Sequence, residues 1–524
     1  MSSTARKAPP HAPHDHSLAR DAVGLPQVIF VSVSTMAPAA GAVFAVTVGA
    51  FFAGGALPLS VLIALAGCLF TALSIGQLAR HLPSAGGMYT YISRGLGGYV
   101  GFLAGWGFNL AYLLVVPLLS VLFGDLLGST LQQHLGYSFD TWWVVGGVFV
   151  CAAVFLSNYL GIQTSTRLGL LLGGLEFAVM IALSLTLILH AGTHNTLNVF
   201  TTHFSDVKGF AGTSGVIAGS IYAVLAFIGF DAAAPLAEET RDPRRTVGRA
   251  VVGATILVGV FYVFVTYAAA VYFGPGRFSA FPTAGSGNPW NLMASAVWGG
   301  GWVLLFLALL NSSMASANGG GSAASRVLWS MGRIRCLPSV LGRTHPRWRS
   351  PHLAIILVFV FSLGITLWLG EQYTPIVSYS LIGTIITAAI LPIYILVNVA
   401  CIAYFVREQR QEFSLIKHIL FPVLGVVLFV PGFFTALGIT VFKFVTPLSH
   451  PINLAGPVVA IWYVIGLAVA VYFAIRHPER IRNTARVFTD DLEAADDAAP
   501  AVPPLAAQPG PQRSAEPGDM ASLE

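Results

Sequence analysis

The chain has 524 residues, of which 55% are hydrophobic and only 9% are charged, and its formal net charge is +5. Soluble domains carry roughly 25% charged residues, so this composition excludes an ordinary soluble fold and indicates an integral membrane protein. The apolar runs are about 20 residues long and contain Gly, Ser and Thr, which favours membrane helices over a β-barrel. About twelve such runs are present, so the predicted fold class is an all-α protein of about twelve transmembrane helices.

The predicted spans follow one another along most of the chain. The first starts near Gln27 and is interrupted within 34–41. The sixth span contains the stretch Phe227–Glu239. The others are expected near 57–79, 99–127, 142–160, 167–189, 250–272, 298–330, 352–369, 376–404, 416–441 and 453–474. Residues 1–22 are polar and rich in Pro, Ala and His, and residues 476–524 are rich in Ala and Pro, so both ends are predicted to be disordered tails. A single transporter domain is therefore predicted over 23–475.

The distribution of basic residues predicts the orientation of these spans. Of the 27 Lys and Arg, 24 lie in the tails or in the loops after even-numbered spans. The other three, Lys208, Arg277 and Lys443, lie on the opposite side. Because cytoplasmic loops carry the excess of Lys and Arg, both termini are expected in the cytoplasm and the protein in the plasma membrane. Topology alone accounts for the basic excess, so we expect the lipid bilayer and a small molecule as partners and no nucleic acid.

Enzyme chemistry is not indicated. The cysteines lie in apolar runs or in an Arg-rich loop, which does not suggest a disulfide framework. His11, His14 and His16 belong to the polar N-terminal stretch and are interpreted as part of a solvated tail rather than a metal site. The sequence has no phosphate-binding loop with its Lys and no nucleophile beside a base. We therefore expect no enzyme activity, no metal and no cofactor.

Two spans carry residues that interrupt a helix. The sixth contains Phe227-Ile-Gly-Phe-Asp-Ala-Ala-Ala-Pro235, and the first contains Ser34-Thr-Met-Ala-Pro-Ala-Ala-Gly41. Either break alone is unremarkable, because Gly and Pro are common in membrane helices. The two breaks, however, occupy the same place in consecutive sets of five spans, and five crossings invert the second set. This arrangement predicts inverted repeats at about 25–190 and 210–404, extra helices at 416–474, and a binding site at the bilayer midplane between the two breaks.

Three ordered motifs resemble those of the amino acid–polyamine–organocation (APC) permeases. Leu82-Pro-Ser-Ala-Gly-Gly-Met-Tyr-Thr-Tyr91 is similar to the family signature after the second span. Phe227-Ile-Gly-Phe-Asp231 resembles the sixth span, and Ser325-Arg-Val-Leu-Trp329 resembles the end of the eighth. The resemblance covers about residues 25–475 and implies a secondary transporter that works by alternating access. One departure is Pro38-Ala-Ala-Gly41, where many members have a Gly-x-Gly break.

An amino acid needs an anion site and a cation site. The resemblance implies that backbone N–H groups of the first break hold the substrate carboxylate, and the positive end of a half-helix suits that role, so Ala39, Ala40 and Gly41 are the candidates. Carbonyl groups at the ends of the broken helices are candidates for the ammonium. The remaining candidates for the substrate site are Ser34, Phe227, Ile228, Gly229, Asn109 and Tyr112. Phe227 either closes over the substrate as a gate or packs.

Asp231 and Glu176 are the candidate proton-coupling residues. A carboxylate at the centre of a span costs about 2.5 to 3.5 kcal/mol on insertion scales, so such a residue usually faces a cavity and has a task. Burial favours the protonated form of a carboxylic acid, which suits proton coupling. The alternatives are that Asp231 fixes the helix break by accepting N–H bonds and that Glu176 pairs with a neighbouring helix. Ser312, Ser313 and Ser316 either line the site or connect helices.

The sequence thus predicts a secondary transporter of amino acids, driven by protons or by exchange. A polyamine or a small amine such as ethanolamine is the alternative substrate within the same fold, and a channel or a non-transporting sensor is the alternative of another class. The expected coupling ion is the proton. A sodium site built from oxygens of the first and eighth spans stays open, but no acidic residue marks one. The sequence does not predict the oligomeric state.

Overall fold

A computed structural model of the chain describes residues 24–84, 86–161, 166–333, 335–348, 350–443 and 445–477. The predicted N-terminal tail and nearly all of the predicted C-terminal tail lie outside these residues. The first half of the described chain is helical with short connections. Its helices are α1 (Leu25–Thr35), α2 (Pro38–Ala53), α3 (Leu57–His81), α4 (Met88–Leu96), α5 (Gly98–Leu135), α6 (Phe139–Leu160) and α7 (Thr166–His190).

The second half of the described chain is also largely helical. Its helices are α8 (Thr213–Phe227), α9 (Pro243–Phe273), α10 (Pro289–Trp298), α11 (Trp302–Arg333), α12 (His352–Gln372), α13 (Pro375–Arg407), α14 (Phe421–Leu437) and α15 (Ala455–Arg476). A 3₁₀ segment, Phe230–Glu239, continues α8 after a break. The described strands are β1 (Asp206–Val207) and β2 (Phe210–Ala211), which form a small antiparallel hairpin before α8.

Eleven helical stretches in the described residues are long and apolar enough to cross a membrane. The first of them, Leu25–His81, is 57 residues long. At 1.5 Å per residue it would extend about 85 Å, far more than a bilayer core of about 30 Å. A 3₁₀ turn at Gly54–Ala56 divides it into α1–α2 and α3, so it contains two crossings. The described residues therefore have room for about twelve crossings, and their helical stretches confirm the predicted all-α membrane fold.

The crossings differ in how much of their surface is buried. The spans of α5 and α8 are buried almost all round, whereas α15 exposes most of its surface. Because α15 is apolar as well as exposed, its outer face is suited to lipid. A reciprocal pair of tryptophans holds it against α5: the Trp106 indole donates to the Trp462 carbonyl at 2.9 Å, and the Trp462 indole donates to the Trp106 carbonyl at 2.9 Å. The site described next lies at the buried centre.

The loop between α9 and α11 forms the 3₁₀ segment Pro275–Gly287 followed by α10. It buries Phe278, Phe281 and Trp290. The Trp290 indole donates to the Val43 carbonyl of α2 at 3.0 Å. This loop therefore covers one end of α2.

Candidate functional site

The first span breaks between Thr35 and Pro38, as the sequence predicts. Ala37 adopts a left-handed conformation (φ 49°), and Pro38 begins α2 without an N–H to donate. The carbonyls that the break leaves without helical partners are hydrogen-bonded by side chains of other spans. The Ser316 hydroxyl donates to the Thr35 carbonyl at 2.7 Å, and the Tyr262 hydroxyl lies 2.7 Å from the Met36 carbonyl. The end of α1 is thus held by α9 and α11.

The N-terminus of α2 is capped by side chains of two other spans. The Ala39 N–H donates to Glu176 Oε1 at 3.2 Å, and the Ala40 N–H donates to Ser312 Oγ at 3.1 Å. The Ser312 hydroxyl in turn donates to Glu176 Oε1 at 2.8 Å, and the Asn311 amide donates to Glu176 Oε2 at 3.2 Å. Glu176 is only 3% exposed. A buried carboxylate therefore lies at the positive end of this half-helix, where an anion is stabilised.

The second break lies between Phe227 and Phe230, in the sixth span as predicted. Gly229 has φ 114°, which only glycine adopts readily. A Cβ at this position would lie 2.7 Å from Thr35 Cγ2 and 3.0 Å from the Thr35 backbone carbon. The missing side chain thus allows the two breaks to come into direct contact. The Ser32 hydroxyl adds a second link by accepting the Ala233 N–H at 3.1 Å.

Asp231 follows this break and is 1% exposed. The Tyr112 hydroxyl donates to its Oδ2 at 3.3 Å, and the Tyr394 hydroxyl donates to its Oδ1 at 3.2 Å. Asp231 therefore connects the broken sixth span to α5 and α13 and holds the second break against them.

Tyr262 of α9 joins the two breaks. It is buried, and its hydroxyl lies 2.7 Å from the Met36 carbonyl of the first break and 3.0 Å from the Ala226 carbonyl of the second. The Phe227 ring packs edge-on against it at 5.2 Å between centroids. A hydroxyl donates one hydrogen bond at a time, so these two carbonyls share one donor.

The buried ionisable side chains of this region that can carry a full charge are acids, without a buried Lys or Arg among the described residues. Asp231 and Glu176 are buried, whereas none of the described Lys and Arg side chains is buried. Buried charges are normally paired, and here the described protein supplies hydroxyl and amide donors instead of a cation. The arrangement can therefore accept positive charge, either as protons or as a cationic group of a ligand.

Most of the predicted substrate residues lie at the two breaks, but their polar groups are largely engaged. The Gly41 N–H donates to the Ala37 carbonyl at 2.6 Å, so it is not the unpaired donor that we expected. The Ser34 carbonyl accepts the Ala37 N–H at 3.2 Å, which also differs from the expected open carbonyl. Phe227 and Ile228 are buried. Phe227 packs in this conformation, and its role as a gate stays a prediction.

Asn109 and Tyr112 lie on α5, and the structure separates their environments. Tyr112 reaches Asp231, as described above. The Asn109 amide nitrogen instead contacts the sulfur of Met331, near the end of α11, at 2.7 Å. Its Oδ1 is buried without a hydrogen-bond partner. Tyr112 is therefore part of the group around the second break, and the contacts of Asn109 lead towards the end of α11.

Sequence reasoning missed Tyr262, Tyr394 and Ser32. Each is an ordinary residue of a membrane helix, and no local pattern marks it. The sequence did not decide whether Ser312 and Ser316 line the site or connect helices. In the structure both form hydrogen bonds to backbone groups of the first break. Ser313 differs, because its hydroxyl donates to the Leu309 carbonyl of its own helix at 2.8 Å. A Tyr in the middle of the seventh span was visible in the sequence, but its partners lie in two other spans.

Comparison with known proteins agrees with this architecture. The chain is 29% identical over 370 residues to the low-affinity putrescine importer PlaP of Escherichia coli K12, which covers 68% of this chain and 75% of that protein. It is 27% identical over 444 residues to the branched-chain amino acid permease BcaP of Lactococcus lactis, covering 82% of this chain and 88% of that protein. The family described as amino acid permease matches residues 23–471. The chain therefore belongs to the amino acid permease family, within the APC superfamily.

Proposed function

We propose that this multi-pass membrane protein is a secondary active transporter of amino acids that works by alternating access and is driven by protons or by exchange. The observation that carries the proposal is the direct contact between two broken spans, with Glu176 at one break and Asp231 at the other. Half-helix ends meeting at the membrane midplane are the sites that secondary transporters use for substrates and coupling ions. Plasma-membrane location and cytoplasmic termini are part of the proposal: the permease family supports the location, and the Lys and Arg distribution supports the orientation.

Amines are the second candidate substrates, and two observations favour them. The Ala39 and Ala40 N–H groups already have acceptors, which leaves less for a substrate carboxylate. The buried acids also have no buried Lys or Arg among the described residues, so a cationic substrate would balance them. One relative is named as a putrescine importer and another as a branched-chain amino acid permease, so relatives of similar identity support both classes.

Proton coupling through Asp231 and Glu176 is the third part of the proposal. Both are acids in membrane spans, where ionisable residues commonly serve as proton relays. The rival for Asp231 is a structural role, since it bonds Tyr112 and Tyr394 and stabilises the second break. No cofactor is proposed, and the proton is preferred to sodium because both buried acids can carry one.

The substrate class is tested by thermal stability. The purified protein in mild detergent is heated with individual amino acids, polyamines and small amines, with and without sodium. A ligand that binds the folded state raises stability by about 2.7 kcal/mol at a hundredfold excess over its dissociation constant. Stabilisation by one or a few amino acids supports the leading proposal. Stabilisation by amines alone selects the second candidate, and a requirement for sodium contradicts proton coupling.

The coupling role of Asp231 is tested by Asp231→Asn. The amide keeps the size of the carboxyl group and its ability to accept from one tyrosine, so the variant is expected to fold. If Asp231 carries the proton, uptake into proteoliposomes loses its response to an inward proton gradient. pH-dependent uptake that persists unchanged in the variant assigns Asp231 the structural role. Saturable flux with counterflow in the same vesicles excludes a channel or a sensor.

A further inference from the structure

The first turn of α2 has no unused backbone donor. Pro38 has no N–H, and the Gly41 N–H is used within the helix. The remaining two, on Ala39 and Ala40, donate to Glu176 and Ser312. Half-helix N-termini bind anions because their N–H groups lack partners, and here the protein itself supplies the acceptors.

The acceptor on Ala39 has the same chemistry as the expected substrate group. Glu176 presents a carboxylate, it belongs to a different span, and it receives hydrogen bonds from Ala39, Asn311 and Ser312. A substrate carboxylate at the same half-helix would need the donors that Glu176 and Ser312 now use. Two carboxylates that share one site do not both remain ionised. Both can occupy the region only if one of them takes up a proton.

We propose that Glu176 is an internal occupant of the substrate-carboxylate site, and that an amino acid displaces it while Glu176 takes up one proton. The proton moves from water to the Glu176 carboxylate and produces a neutral acid, which releases the Ala39 N–H and the Ser312 hydroxyl. The substrate carboxylate then accepts from the freed groups. This inference rests on the proposed function, and it adds a specific route by which substrate binding and proton binding are coupled.

The described protein groups around Glu176 supply no buried cation to balance its charge. The elements packed closely against α7 are α1, α2, α9, α10 and α11. The sequences of α1, α2 and α10 contain no titratable or charged side chain. On α11, Arg326 and Arg333 are exposed, and on α9 the titratable group facing Glu176 is Tyr262. None of these described groups supplies a buried cation that could neutralise a second carboxylate.

The test compares ligands that differ only by a carboxylate. Leucine is paired with 3-methylbutylamine, and ornithine is paired with putrescine. Calorimetric titration in buffers of different ionisation heat gives the number of protons taken up as each ligand binds. For a bound amino acid we expect uptake of about one proton, and an affinity that weakens about tenfold for each unit of pH above the range in which Glu176 titrates. The matching amine lacks the displacing group, so its binding takes up no proton at Glu176.

Glu176→Gln is the central variant. Its amide oxygen can still accept from Ala39, but it cannot titrate, so amino acid binding is expected to occur without proton uptake and without the pH dependence. Ser312→Ala keeps Glu176 and is expected to retain the proton uptake. Ser313→Ala is the matched control, because its hydroxyl bonds only within α11 in this structure. Asp231→Asn tests the other buried acid if Glu176→Gln does not fold. It leaves Glu176 and its hydrogen-bond partners unchanged, so the proton taken up as an amino acid binds is expected to remain, even where the response of transport to a proton gradient is lost.

Several results would overturn the inference while leaving the transporter proposal intact. Amino acids that bind the wild-type protein without proton uptake are one. Proton uptake that survives in Glu176→Gln or disappears in Asp231→Asn is another, since it places the proton elsewhere. Binding of the amines alone would make Glu176 a permanent occupant and would also overturn it. The absence of any bound amino acid or amine would instead contradict the proposed function itself, and the inference with it.

Discussion

The two breaks satisfy their polar groups in different ways. At the first, groups freed by the interruption are bonded by side chains of α7, α9 and α11, and the acid Glu176 comes from about 140 residues further along the chain. At the second, Asp231 is supplied by the broken segment itself and is held by Tyr112 and Tyr394. Both breaks thus rely on side chains of other spans, and they differ in the origin of the acid: the acid at the first break comes from another span, whereas the second break carries its own.

The contact between the breaks is tested first, because its loss has the largest expected effect. Gly229→Ala places a Cβ against Thr35 and requires an unfavourable backbone conformation. Backbone strain and overpacking together are expected to cost about 3 kcal/mol. Thermal unfolding in detergent should show a marked loss of stability. Gly364→Ala is the control, since nothing lies within 4 Å of the added Cβ and the residue is within α12, where stability should be unchanged or slightly higher.

The shared hydroxyl is tested next. Tyr262→Phe removes the donor that lies between the Met36 and Ala226 carbonyls, and a buried polar group left without a partner costs about 1 to 3 kcal/mol. The same thermal assay measures the loss. Tyr267→Phe on the same helix removes a hydroxyl that bonds Asn195 near the surface, so it should change stability much less. Equal losses in the two variants would contradict the linking role of Tyr262.

A weaker link is tested by Ser32→Ala. The variant removes the acceptor of the Ala233 N–H, and we expect a cost of about 1 kcal/mol. Ser34→Ala is the comparison for stability, because that hydroxyl donates to Val31 within its own helix. If Ser34→Ala is the more destabilising variant, the hydrogen bond between the breaks contributes little to the fold.

Much of this architecture follows from the sequence, and the reason lies in the membrane. The lengths of the apolar runs predict about twelve crossings. Pro38 and Gly229 mark the breaks, because Pro has no backbone N–H to donate and Gly readily adopts a conformation that other residues avoid. The difference between the two breaks, in which one acid comes from another span and the other from the broken segment itself, could not be predicted from the sequence. Glu176, Ser312 and Ala39 come from three different spans, and the Ala39 contribution is a backbone group that any residue except Pro would supply. The inverted relation of the two halves remains a prediction.

Tyr262 illustrates the same limit. A tyrosine within a span either packs or forms a polar link, and only the placement of α9 against both α1 and α8 decides between the two. Gly41 shows the converse, since the sequence suggested a free N–H while the geometry of α2 uses it internally. Local patterns thus predicted where the helices break, and tertiary contacts determined which groups the breaks leave available.

The most direct test of the account is to measure proton and substrate movement together. Purified protein is reconstituted into vesicles that contain a pH-sensitive dye, and the amino acid that most stabilises the protein is added outside. Uptake is expected to acidify the vesicle interior and to increase under an inward proton gradient, and Glu176→Gln is expected to lose both effects. Substrate uptake with no change in internal pH and no response to the gradient would contradict proton coupling.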